Sequence, residues 1–108
     1  MVATSSDVGQ AGESAVVAEL KKLGYRITSW DTQGPGATDI EAASSMTTLL
    51  VQVKTAVSPN APASLSGDER RAITARALRK GAEAWEARVF LANRLLLPVA
   101  KIAWQKLN

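Results

Sequence analysis

Residues 38–54 read T-D-I-E-A-A-S-S-M-T-T-L-L-V-Q-V-K, and the fold turns on how this stretch pairs with itself. Thr38 to Ala43 and Thr47 to Lys54 read as strands, and Ser44, Ser45 and Met46 form a polar turn between them. A period of two puts Leu50, Gln52 and Lys54 on one face of the second strand and Val51 and Val53 on the other; Asp39 and Glu41 likewise share a face. In a hairpin, the start of one strand lies beside the end of the other. Asp39 then meets Gln52 and Lys54 at one sheet edge. The bland alternative is that Asp39 caps a loop, Gln52 is half-buried and Lys54 is an exposed strand end.

Upstream, residues 1–8 are small and polar and read as a frayed arm. A helical period runs from about Gly9 to Leu23, with Lys21 and Lys22 in its last turn and Gly24 as the stop. Glu13 precedes Val16, Val17 and Leu20 by three, four and seven positions, so it lies on or beside the apolar stripe. Either a cation or metal meets it there, or it is a first-turn acid favoured by the helix dipole. Tyr25 to Trp30 alternates as a strand, and residues 31–37, D-T-Q-G-P-G-A, form a loop.

Downstream, residues 55–67 hold two prolines and read as an irregular connection. Ser66 and Glu69 have capping-box spacing and open a helix to Lys80, which Gly81 ends. Ile73, Ala77 and Leu78 are its core candidates, whereas Arg70, Arg71, Arg76, Arg79 and Lys80 must be solvated or bound. A strand from Glu83 or Ala84 to Asn93, a turn over residues 94–98 and a strand from Val99 to Trp104 complete the chain. The order α-β-β-β-α-β-β predicts an α/β fold: one domain over residues 1–108, with a mixed central β-sheet flanked by helices.

Composition narrows the chemistry. The 108 residues contain no cysteine and no histidine. Disulfides, thiolate zinc sites, cysteine nucleophiles and histidine bases or ligands are therefore excluded. A bound metal would need oxygen ligands, which points to Mg2+ or Mn2+. Asp39 offers a carboxylate, Gln52 an amide oxygen and Val53 its backbone carbonyl, with Glu13 within reach directly or through water. Lys54 is a point charge suited to orienting water or neutralising a phosphodiester transition state. Residues 1–54 carry a net charge of −2 and residues 55–108 carry +5, an asymmetry that suits a polyanion. Arg70, Arg71, Arg76, Arg79 and Lys80, with Lys21 and Lys22, are the candidate phosphate contacts; a solvated helix face is the alternative. No apolar run spans a membrane and the N-terminus is unlike a signal peptide, so a cytoplasmic protein is expected.

The run G-E-S-A-V-V-A-E-L-K-K-L-G-Y-R-I-T (12–28), then G-A-T-D-I-E-A (36–42) and L-L-V-Q-V-K-T (49–55), resembles the PD-(D/E)XK nuclease superfamily, the restriction-endonuclease-like fold. It is similar to archaeal Holliday-junction resolvases and, in its Q-x-K, to Mrr-type enzymes. The resemblance implies that Glu13 is the helix glutamate, Asp39 the metal aspartate and Lys54 the motif lysine. Gln52 stands where the pattern usually has Asp or Glu, so a neutral amide replaces a charge. Pro35 lies four residues before Asp39 rather than beside it. Glu41 either compensates for Gln52 or is simply exposed.

The expectation is a Mg2+- or Mn2+-dependent DNA endonuclease, acting as a homodimer because cutting two strands needs two sites, with branched DNA among its substrates. The alternatives are a nuclease fold that binds nucleic acid without cutting it, and an interaction module in which the constellation is coincidental.

Overall fold

The computed structural model describes residues 5–30, 39–92 and 99–108. Two helices, α1 (Ser5–Lys22) and α2 (Gly67–Lys80), accompany five strands: β1 (Arg26–Trp30), β2 (Ile40–Ala43), β3 (Thr48–Val57), β4 (Glu83–Leu91) and β5 (Val99–Lys106). The strands form one sheet in the order β1-β2-β3-β4-β5. β3 and β4 are parallel, and the other neighbours are antiparallel. Parallel neighbours need a long crossover, and α2 supplies it.

β3 is central because its sequence is apolar on both faces. Val51 and Val53 pack with Val16, Val17 and Leu20 of α1, while Leu50 packs with Ile73 and Ala77 of α2. The helices therefore cover opposite faces of the sheet. Truncating a core side chain such as Leu50 or Ile73 to Ala would cost about 2–5 kcal/mol. Beyond the core, Trp85 and Trp104 meet edge to face, 6.3 Å apart, on adjoining β4 and β5.

Local signals act as the sequence indicates. The Ser66–Glu69 capping box closes in both directions, and Gly81 adopts a left-handed C-cap with φ 65°. Gly24 has φ 95° at the end of α1. At both positions glycine avoids the steric penalty of a Cβ.

Some boundaries differ from the sequence reading. Of the arm expected over residues 1–8, residues 5–8 belong to α1, and Val8 is buried in the core. β3 runs on to Val57, because Thr55, Ala56 and Val57 stay in register with Val89, Phe90 and Leu91. Leu78, expected to face the core, is 81% exposed. It follows Ala77 by about 100° around the helix, which turns it away from Ile73 and the sheet. The loop expected at 31–37 and the turn expected at 94–98 lie outside the described residues.

Candidate active site

Asp39 immediately precedes β2 and is bound twice to β3. Its N–H donates to the Val51 carbonyl at 3.0 Å, and its Oδ2 accepts the Val53 N–H at 2.8 Å. The antiparallel register pairs Ile40 with Val51. The Asp39 N–H bonds to that same Val51, one step out of register, so Asp39 is held at a bulge against Val51 and Val53, the two neighbours of Gln52. The hairpin therefore brings the acid to the stretch of β3 that carries Gln52.

Gln52 is 7% exposed, and its Oε1 is buried without a hydrogen-bond partner among the described residues. Lys54 lies two residues on, on the same face. Its Nζ donates to Glu69 Oε2 at 2.7 Å. Glu69 also accepts the Ser66 N–H at 2.9 Å through Oε1. The Lys54 ammonium, with the Ser66 N–H second, holds the Glu69 carboxyl below its ordinary value of 4.5. One acid thus caps α2 and fixes the lysine.

Glu13 enters from α1. Its Oε1 accepts the indole N–H of Trp30 at 3.0 Å, and it lines one cleft with Val53, Lys54 and Thr55. Gly12 makes this approach possible. A Cβ at Gly12 would overlap the Thr55 side chain, so only a glycine lets α1 lie this close to β3.

Glu41 is engaged away from Gln52. Its register partner is Leu50, and its carboxylate is bonded to Lys80 at 2.7 Å and to Thr28 at 3.1 Å. The hydrogen bond from Lys80 holds its pKa below the ordinary range.

The basic candidates divide between the two faces. Lys21 and Lys22 end α1 and are exposed. Arg70, Arg71, Arg76, Arg79 and Lys80 belong to α2, on the face that carries Gln52 and Lys54. Within this group Arg71 pairs with Asp68 and Lys80 with Glu41, while Arg79 is exposed in the last turn.

Three participants escaped the sequence reading. Glu69 was legible as a cap but not as the partner of Lys54, and Trp30 was legible as a strand end but not as the partner of Glu13. Glu86, wholly buried on β4, gave no signal beyond an acid in an apolar strand. No three carboxylates among the described residues cluster closely enough to hold a metal by themselves. Asp39 and the unpartnered Gln52 oxygen are hard oxygen donors and fit a divalent cation.

No protein-family model matches the sequence, and no curated protein does. Among solved structures the chain is similar to Archaeoglobus fulgidus Hjc, a Holliday junction resolvase from an archaeal hyperthermophile. The two are 27% identical over 92% of this chain and 72% of Hjc, with a TM-score of 0.69. The fold is that of the PD-(D/E)XK nucleases. In this fold Asp39 leads into β2, and Gln52 and Lys54 lie on β3.

Proposed function

We propose that the protein is a divalent-metal-dependent DNA endonuclease that cuts branched DNA as a homodimer, with Mg2+ or Mn2+ as its cofactor. One observation carries this reading. Asp39 is bonded to Val51 and Val53, on either side of Gln52, and Lys54 follows two residues after Gln52 on β3, in a fold similar to that of a junction resolvase.

Asp39, the Gln52 amide oxygen and the Val53 carbonyl would hold the cation, and Glu13 would reach it directly or through water. When bound, the cation activates water and offsets charge on the phosphate. Lys54, held by Glu69, orients the attacking water or meets the developing negative charge. The Trp30 indole aims the Glu13 carboxylate. Arg70, Arg71, Arg76, Arg79 and Lys80 supply phosphate contacts that position the duplex without reading its sequence.

The test is cleavage of four-way-junction, linear, plasmid and single-stranded DNA in Mg2+ or Mn2+. Asp39→Ala and Lys54→Ala should abolish cutting and retain binding. A second reading, a binder that does not cut, is favoured by the neutral Gln52 side chain. Wild-type protein that binds the junction and leaves it intact in both metals would establish that reading instead.

A further inference from the structure

We propose that Glu86, on β4, supplies the carboxylate that the motif lacks at Gln52, so that the cation site spans three strands: Asp39, Gln52 and Glu86. The inference rests on the reading of Asp39 and Gln52 as cation ligands.

The register makes the juxtaposition. Gln52 pairs directly with Glu86 in the parallel β3–β4 ladder, and on the other side of β3 Asp39 is bonded to Val51 and Val53, the neighbours of Gln52. Gln52 and Glu86 stand side by side on strands about 4.8 Å apart. Gln52 and Glu86 both lie on the face covered by α2, since Leu50 and Ala84, two residues earlier in β3 and β4, both pack with Ile73 and Ala77.

Burial indicates a missing partner. Glu86 is 0% exposed. Its Oε2 accepts the Leu65 N–H at 2.7 Å, while its Oε1 has no hydrogen-bond partner among the described residues. The neighbouring Gln52 Oε1 is also buried and unpartnered. These two atoms are the buried side-chain polar atoms left unsatisfied among the described residues, and they belong to register partners. Burying one acceptor without a donor is costly, and two together call for a shared positive group.

The nearby cations are engaged elsewhere. Arg88, two residues on, donates to the Pro62 carbonyl at 3.1 and 2.7 Å, and Lys54 is bound to Glu69. Among the described residues no lysine or arginine is ion-paired with Glu86. A divalent cation bound by oxygens would satisfy both atoms, and a second carboxylate gives the site the charge that Gln52 withholds. The competing arrangement turns the Gln52 amide over, so that its NH2 group donates to Glu86 and no cation is needed.

The experiment measures Mn2+ binding to the full chain without DNA, by calorimetry and by the loss of the free-Mn2+ electron paramagnetic resonance signal. Glu86→Gln keeps the shape and the acceptor for Leu65. It should weaken Mn2+ binding about tenfold or more, with the metal-free melting temperature close to wild type. The exchanged pair Gln52→Glu/Glu86→Gln returns the acid to its neighbour and should restore binding; it also serves if the single variant folds poorly. Mn2+ affinity unchanged in Glu86→Gln, alongside weakened binding in Asp39→Ala, would overturn the role of Glu86 and leave the nuclease reading intact. Wild-type protein that neither binds Mn2+ nor cuts DNA would overturn both.

Discussion

Lys54 and Glu69 join the central strand to the first turn of the crossover helix: Nζ and Oε2 are 2.7 Å apart, and the same carboxylate closes the Ser66 capping box. The lysine is therefore positioned by the helix start and not merely by its own strand. Glu69→Gln should slow DNA cleavage about 10- to 100-fold, the scale expected when a catalytic group is misplaced. Junction binding should change little. Single-turnover cleavage beside an equilibrium binding assay separates the two effects.

The same pair makes stability depend on acid. The Glu69 carboxyl has its pKa lowered from the ordinary 4.5, first by Lys54. A lowered pKa means that the contribution is fully present above 4.5 and is lost as pH falls through the folded-state value. Wild type should exceed Glu69→Gln in melting temperature at about pH 6, and the gap should close by about pH 3. A constant gap across that range would show that the pair does not titrate with folding.

Gly12 and Thr55 set how closely α1 approaches β3. Gly12→Ala drives a methyl into the Thr55 side chain and should destabilise the fold by about 1–3 kcal/mol, the range for overpacking. Gly12→Ala/Thr55→Gly should recover more of that loss than Gly12→Ala/Thr55→Ala, because the Thr55 Cβ by itself stands 2.8 Å from the new methyl. Denaturant midpoints of the single and double variants test this.

Trp30 and Glu13 form a contact between β1 and α1 at the cleft. Trp30→Phe removes the indole donor but keeps a ring. It should lower the cleavage rate about 10- to 100-fold, because the indole is the outer partner that orients the Glu13 carboxylate. A Trp30→Phe rate equal to wild type would remove Trp30 from the mechanism.

The division of basic residues between sheet faces predicts unequal effects on DNA affinity. Arg79→Ala, on the face of Lys54, should weaken junction binding and reduce the slope of log K against log salt by about one. Lys21→Ala/Lys22→Ala, on the opposite face, should leave that slope near wild type. Fluorescence anisotropy over a salt series distinguishes them.

The hairpin was legible because both its signals are local. Alternation sets the faces, and a short polar turn sets the pairing, so Asp39 could be placed at one sheet edge with Gln52 and Lys54 without coordinates. The α2 cap was legible for the same reason. What escaped depends on the crossover. Nothing in A-W-E-A-R at 84–88 states that Glu86 stands beside Gln52, because parallel register is fixed by how α2 packs rather than by neighbouring residues. Lys54 likewise finds Glu69 only through the path of residues 58–66. Leu78 misled because helical periodicity over a short apolar set does not settle which of two adjacent positions faces inward, whereas the packing of Ile73 and Ala77 does.

The crossover has a temporal consequence. Asp39 and Gln52 come together through a hairpin closed over few residues, whereas Glu86 reaches Gln52 only when the longer chain between β3 and β4 has folded back. Local contacts form sooner than distant ones. A nascent chain would thus carry Lys54 untethered until α2 forms, and a site without Glu86 until β4 docks. Mature geometry at this edge reports that β3, α2 and β4 have assembled together.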